Sequence, residues 1–107
     1  MGRRVIWRAA AEQDLSEACL YIARESPAAA ERFLDVVERA IAVLVEHPRA
    51  GHLRQFRSMR VRDLRSWPTK GFPDYLIFYR TVGDDIEVVR LLHGNRDLPR
   101  IRFDDPR

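Results

Sequence analysis

The residues in this chain that could do chemistry are arginines and a histidine grouped around one predicted β-hairpin. Arg80 and Arg90 lie on its two strands, and His93 follows the second strand. A guanidinium group forms forked hydrogen bonds to phosphate or carboxylate, and a histidine can carry a proton near neutral pH. Such groups could cut a phosphodiester bond or bind an acidic partner. The predicted contact residues for a target or partner are Arg60, Arg62, Trp67, Arg80, Arg90, His93 and Arg96.

The arginines also have a purely structural interpretation, which stays open at this point. Those of the hairpin could be solvated charges paired with Asp84, Asp85 or Glu87. Arg96 could pair with its neighbour Asp97 where the chain leaves the sheet. Neither arrangement would require a partner molecule.

Trp67 and His93 have similar alternatives. Trp67 lies in a predicted loop, where it could stack on a nucleobase or anchor a protein contact, or instead cover an edge of the core. His93 is a weak candidate for a general acid or base. We favour a structural role for it, as a strand-terminal histidine that hydrogen-bonds the following loop. No catalytic residue is therefore assigned.

The hairpin that positions these residues spans residues 74–97. Its first strand, Tyr75–Tyr79, is a continuous apolar run, and Gly83–Asp85 supplies turn residues before a β-branched second strand, Ile86–Leu92. An uninterrupted apolar strand is covered on both faces, so we expect it to lie centrally in a sheet. The polar residues 93–97 would then stand at the end of that sheet.

The other elements follow from periodicity and capping. Apolar residues at helical spacing predict one helix over Ala10–Glu25 and a second that begins after Ser26 and ends near His47. Their short connection predicts an antiparallel helical hairpin. The remaining predictions are strands at Val5–Trp7 and Phe56–Leu64 and a loop at Ser66–Pro73, which gives the element order β-α-α-β-β-β.

Length and composition place limits on the function. The 107 residues suffice for one domain with its own core, which we take as residues 1–107 with 98–107 as a C-terminal tail. No apolar run approaches the roughly 20 residues of a membrane span, and no signal peptide is recognisable, so we expect a cytoplasmic protein without membrane contact. One cysteine, Cys19, excludes an internal disulfide. His47 and His52 lack further ligands at metal spacing, so no metal site and no cofactor are predicted.

Charge is unevenly distributed along the chain. The range from Ala9 to His47 contains eight acidic residues and three arginines, which gives a net charge of −5. The range from Pro48 to Lys70 contains seven basic residues and one aspartate, which gives a net charge of +6. The asymmetry predicts an acidic helical layer and a basic face elsewhere. Since Lys70 is the only lysine, nearly all the positive charge is guanidinium, which suits partners with phosphates or carboxylates.

Several motifs together carry a resemblance to a known family. The chain is similar to the ParE toxins of the ParE/RelE superfamily, from bacterial type II toxin–antitoxin modules, over roughly Val5 to Leu98. The resemblance implies an α+β fold, in which an antiparallel helical hairpin packs on one face of a small, mostly antiparallel sheet. The motifs are Asp14-Leu15, Tyr21-Ile22-Ala23, Pro27-x-Ala29-Ala30, Pro48-x-x-Gly51, Tyr75-Leu76-Ile77-Phe78-Tyr79-Arg80 and Leu92-His93-Gly94-x-Arg96-Asp97.

The superfamily contains two kinds of toxin, which differ in chemistry. RelE-like members cut mRNA on the ribosome and need cations and a proton-transfer group at the scissile phosphate. They usually carry an arginine at the start of the central strand, where this chain has Tyr75. The proton-transfer position aligns closer to Gly94 than to His93, and neighbouring strand residues face opposite sides. The resemblance therefore implies a toxin that inhibits DNA gyrase by binding and is not a nuclease.

Partners also follow from the resemblance. It implies a cognate ParD-like antitoxin, DNA gyrase as the expected target, and operator DNA bound only indirectly through the antitoxin. The alternatives are a ribosome-dependent mRNA endoribonuclease that would use Arg60, Arg62, Arg80 and His93, and a non-toxic module that serves complex formation and repressor control.

Overall fold

The protein is an α+β fold in which two helices cover one face of a five-stranded sheet. The computed structural model describes residues 3–55, 62–94 and Phe103, and all statements about structure refer to these. The elements are β1 (Val5–Trp7), α1 (Ala9–Ala23), α2 (Pro27–Glu46), β2 (His52–Leu53), β3 (Arg65–Thr69), β4 (Phe72–Val82) and β5 (Asp85–His93).

The sheet has the strand order β1-β5-β4-β3-β2, so β4 lies at its centre as predicted. Strands β2 to β5 pair antiparallel, and only β1 runs parallel to its neighbour β5, with Val5 opposite Ile86. The β4–β5 register shifts between Phe78 and Tyr79, which marks a bulge. The expected mostly antiparallel sheet with a helical hairpin on one face is thereby confirmed.

Local sequence accounts for the helical hairpin. The Ser26 hydroxyl accepts a hydrogen bond of 3.1 Å from the Ala29 amide, and Pro27 occupies the first helical position, where its missing N–H costs nothing. Buried residues recur along α2 at three- and four-residue intervals, which turns one stripe of the helix toward the sheet. They are Ala30, Phe33, Val37, Ala40, Ile41 and Leu44.

The sheet is covered on both faces, as the apolar run in β4 predicts. One core lies between helices and sheet and includes Phe33, Ile77 and Tyr79. A second core contains no helical residue and consists of Leu64, Phe78, Val89, Leu92 and Phe103, with the rings of Phe78 and Phe103 5.0 Å apart. Phe103 therefore places its part of the C-terminal tail on the sheet face away from the helices.

The segment before β4 differs from its prediction. Arg62 and Asp63 form a turn, Asp63 with a φ of 58°, and the strand runs over Arg65–Thr69 where a loop was predicted. The predicted strand at Phe56–Leu64 was wrong for 62–64, and 56–61 lie outside the described residues. Proline made a strand look improbable here. However, β2 pairs only with Arg65 and Ser66, so one edge of β3 is open at Pro68 and no ladder hydrogen bond is lost there.

The two-residue strand β2 was not predicted either. It adds an outer strand to the sheet, with His52 opposite Ser66 and Leu53 opposite Arg65.

Within the part of the chain that the structure describes, no helix combines the length and the hydropathy of a membrane span.

A candidate interaction groove at the end of the central strands

His93 lies in an open groove where β4 and β5 meet α1. The groove has a volume of about 450 Å³. It is assembled from one helix and the hairpin, whose lining residues are more than fifty positions apart in sequence. Its lining residues are Asp14, Glu17, Ala18, Tyr21, Tyr75, Leu91, Leu92 and His93.

Aromatic rings form one wall of the groove. Tyr75 and His93 are directly opposite each other on β4 and β5, and their rings meet edge to face at 5.1 Å. Tyr75 also contacts Phe33 of the core at 5.0 Å, which holds its ring in place. Burial, followed by the nearby Tyr21 and Cys19, raises the pKa of the Tyr75 hydroxyl. Tyr75 is therefore neutral at physiological pH and serves as an aromatic surface with a hydroxyl donor.

Carboxylates dominate the charge around His93. Asp14 and Glu17 belong to the groove lining, and an Asp74 oxygen lies 3.9 Å from Nε2 of His93. Among the described residues, no arginine or lysine is part of that lining. Asp14 is balanced by Arg90. The charge that a phosphate brought to His93 would meet therefore comes from Glu17 and Asp74 and is negative, whereas a cationic or hydrogen-bonding group of a partner would be attracted.

Asp14 connects the helix and the strand that form the two sides of the groove. The Asp14 side chain is 8% exposed. Its carboxylate accepts hydrogen bonds from Nε (2.6 Å) and Nη2 (2.9 Å) of Arg90. It also accepts one of 3.0 Å from the Leu91 amide. The hydrogen bonds with Asp14 raise the pKa of Arg90. Asp14 thus joins α1 to β5 and balances the charge of Arg90.

Arg80 is likewise engaged in an ion pair. Its Nε donates to Glu87 Oε1 at 2.6 Å, and Arg8 donates to the same oxygen at 3.0 Å. Burial raises the pKa of Glu87, but the hydrogen bonds and charges of Arg8 and Arg80 outweigh it and leave that pKa below its ordinary value. The Glu87 partner is one that the sequence suggested for Arg80. For Arg90 the partner is Asp14, which the sequence did not suggest.

The other predicted contact residues do not converge on the groove. Arg62 is exposed in the turn before β3, and Trp67 is half-buried in β3 and packs against the core beneath the helices. Arg60 and Arg96 lie outside the described residues. Of the predicted residues that the structure describes, only His93 lines the groove. Whether any of these residues contacts a partner stays a prediction.

Sequence reasoning missed the acidic and aromatic groove residues Asp14, Glu17, Tyr21 and Tyr75 as a group. One signal was available, because Asp14 stands three residues after Ala11 and four before Ala18, on the apolar stripe of α1. A carboxylate at such a position must be paired when it is buried. Across the described ranges, no three histidine, cysteine or acidic side chains are grouped so that they could hold a metal ion.

Comparison with known proteins gives a consistent assignment. The model of the family described as "ParE toxin of type II toxin-antitoxin system, parDE" matches residues 5–98. The chain is 28% identical over 99 residues to the protein named "Putative toxin Y4kP" of Sinorhizobium fredii, covering 92% of this chain and 96% of that one. It also shares its fold with a solved structure titled "Chromosomal ParDE TA system from P. aeruginosa", with a TM-score of 0.65, 17% identity, and 85% and 95% of the two chains covered. The chain therefore belongs to the ParE toxin family of type II toxin–antitoxin systems.

Proposed function

We propose that this ParE-family toxin inhibits DNA gyrase by binding it and does not cleave nucleic acid. The observation that supports the absence of nucleic-acid cleavage is the charge around His93. The Glu17 carboxylate lines the groove and Asp74 lies close to the imidazole, whereas Asp14 is already paired with Arg90. The target itself is inferred from the family to which the chain belongs.

The geometry argues against the nuclease alternative on chemical grounds. Cleavage by a ribose 2′-hydroxyl needs cations that stabilise the charge developing on the phosphate. Arg80 and Arg90 are the described arginines of the hairpin, and their guanidinium groups already bind Glu87 and Asp14. Releasing Arg90 would leave the Asp14 carboxylate, 8% exposed, without this counter-charge. Releasing Arg80 would leave Glu87, 15% exposed, with Arg8 alone. That cost opposes the use of either arginine on a substrate.

We further propose that a ParD-like antitoxin neutralises the toxin by covering its helical face. Exposed apolar side chains on α1 and α2 support this, with Leu20 69% and Tyr21 64% exposed. A second groove of about 340 Å³ lies between β1 and the two helices and is lined mainly by apolar residues such as Trp7, Leu34 and Ile41. An amphipathic segment that folds on binding would bury such a surface.

The same proposal includes the cellular setting and the extent of the domain. Gyrase and antitoxin act in the cytoplasm, so the toxin would act there, and operator DNA would be reached through the antitoxin. Residues 1–107 would form one domain, since Phe103 is 4% exposed within the second core.

The decisive experiment compares the two activities in purified systems. The chain is added to gyrase with relaxed plasmid DNA, and separately to translating ribosomes with a defined mRNA. We expect loss of supercoiling and intact mRNA. The variant His93→Ala tests the groove histidine, and His47→Ala, which changes an exposed histidine at the end of α2, is its control.

The outcomes separate the hypotheses. Specific mRNA cleavage that disappears in His93→Ala but persists in His47→Ala would overturn the non-nucleolytic mechanism. If the chain affects neither system and causes no growth defect without antitoxin, the gyrase proposal is wrong, and a role in complex formation and repressor control would replace it.

A further inference from the structure

We propose that the outer strands of the sheet opposite β1 bind the phosphate backbone of duplex DNA directly. The surface, which we term the basic edge, comprises Arg49, His52, Arg54, Arg62 and Arg65. It is separate from the groove around His93, whose lining includes none of these residues.

The fold brings the basic edge together at β2, the last strand of the sheet. Leu53 pairs with Arg65, and the Arg54 amide donates to the Leu64 carbonyl at 2.8 Å, directly after the turn that carries Arg62. The Arg65 side chain reaches back to the carbonyl of Arg49. Residues from two separate segments, 49–54 and 62–65, thus share one border of the molecule.

The positive charge of this border is not neutralised within the described residues. Arg49, Arg54, Arg62 and Arg65 make no ion pair there, in contrast to Arg80 and Arg90. Arg49, Arg62 and His52 are exposed. Asp63 is the single acid that the sequence places among residues 48–70. A surface of this kind attracts polyanions.

Two of the arginines are held in place by the strands themselves. Nη1 of Arg65 donates to the Gly51 carbonyl at 2.9 Å, and Nε of Arg54 donates to the Ser66 hydroxyl at 2.8 Å. A guanidinium group has five N–H donors, so most of them remain for a ligand. Because these side chains are already ordered, binding a phosphate costs little additional conformational entropy.

The chemistry of the basic edge favours duplex DNA over single strands. Single-stranded nucleic acid is usually held by aromatic rings on which bases stack. Among the phenylalanine, tyrosine and tryptophan side chains of the described residues, Tyr21 alone is largely exposed, and it lies on α1 among acidic residues and not at this edge. Cations without a stacking surface suit the regular phosphates of a duplex. The inference does not depend on gyrase, and the contact would be additional to operator binding by an antitoxin.

The simplest alternative is that these charges only keep the exposed edge strand from pairing with other molecules. The test is fluorescence anisotropy of a labelled 20-base-pair duplex with the purified chain, at salt concentrations from 50 to 200 mM and without gyrase or antitoxin. With about three neutralised phosphates, we expect a slope of log K against log salt near −2.7, or an affinity loss of about 40-fold over that range.

A pair of charge-matched variants localises the contact. Arg49→Gln/Arg62→Gln removes two exposed charges of the basic edge whose side chains make no hydrogen bond within the described residues. It should reduce the slope to about −0.9 and the salt effect to about 3-fold to 4-fold. Arg32→Gln/Arg39→Gln removes the same charge from exposed positions on α2 and should keep the wild-type slope.

Four results would overturn the proposal. They are no binding of the duplex at 50 mM salt, an equal loss of binding in both double variants, tighter binding of single-stranded RNA than of the duplex, and tighter binding of an acidic peptide such as polyglutamate. Because no gyrase is present, none of these results bears on the proposed inhibition of gyrase. Failure of the gyrase assay would equally leave the DNA contact standing.

Discussion

The substitution Asp14→Ala should be among the most destabilising changes in this protein. Asp14 accepts three hydrogen bonds, two from Arg90 and one from the Leu91 amide. It thereby joins α1 to the end of β5 that extends beyond its pairing with β1. The side chains of Asp14 and Arg90 are 8% and 17% exposed, so water replaces the lost carboxylate poorly. The change therefore removes the charge that balances a largely buried guanidinium group.

The size of the effect follows from that burial. Breaking a buried ion pair by removing one partner costs about 3–5 kcal/mol, and a buried amide left without an acceptor costs about 1–3 kcal/mol. Since the two terms overlap and Arg90 retains some access to water, we expect a total loss of about 3 kcal/mol in the free energy of unfolding. For a domain of this size that corresponds to a fall in Tm of roughly 12–20 °C.

Urea denaturation and calorimetry of Asp14→Ala measure this loss. The control is Glu17→Ala, because Glu17 is exposed on the same helix, accepts a surface hydrogen bond from Gln13 and acts on Arg90 through its charge without a hydrogen bond. It should change stability by less than about 0.5 kcal/mol. Arg90→Ala and the double variant complete a cycle in which the two single effects should not add. A loss below about 1 kcal/mol for Asp14→Ala would refute the assigned role of this ion pair.

Three further predictions concern the remaining buried contacts. Gly51→Ala should lower stability by about 1–3 kcal/mol in urea denaturation, because the added Cβ would lie 2.5 Å from the Tyr79 hydroxyl oxygen. Phe103→Ala should cost about 3 kcal/mol in the same measurement, because that ring fills the second core. The lowered pKa of Glu87 contributes stability that is complete above its ordinary value of 4.5 and is lost as pH falls through the folded-state pKa. Glu87→Gln should therefore flatten the fall in Tm on acidification below pH 5.

Each of these predictions has an internal check. Gly51→Ala should cost less in a Tyr79→Leu background, where the hydroxyl oxygen and the two ring carbons that the added Cβ would meet are all absent. Equal costs in both backgrounds would contradict the steric explanation. Phe103→Leu should recover most of the stability lost in Phe103→Ala, and no difference between the two would place that ring outside the core. An unchanged acid profile in Glu87→Gln would show that other carboxylates control the transition.

Tyr79 illustrates why a buried tyrosine can organise a loop. Its hydroxyl donates to the Pro48 carbonyl at 2.8 Å and accepts from the Gly51 amide at 2.9 Å. Burial raises the pKa of this hydroxyl more than the Gly51 amide and Arg65 lower it, so it remains protonated and able to donate. The segment that leads from α2 to the basic edge is thereby fixed to the central strand.

Much of the fold could be predicted because its signals are local. Helical spacing and the Ser26-Pro27 start defined α1 and α2 nearly to their observed ends. The turn residues at 83–85 and the two apolar runs defined the hairpin and its central place in the sheet. Each signal depends on residues close in sequence, where steric and capping preferences act directly.

The amino-acid sequence by itself therefore determined the family, the helical hairpin and the central β-hairpin. Tertiary structure alone decided the parallel pairing of β1 with β5, the strand at Trp67 and the partner of Arg90, which lies 76 positions away. These features depend on which distant segments come into contact. The sequence position of an arginine does not indicate which carboxylate will form a buried ion pair with it. For the same reason His93, a possible catalyst in the sequence, lies in an acidic aromatic groove once α1 is folded against the sheet.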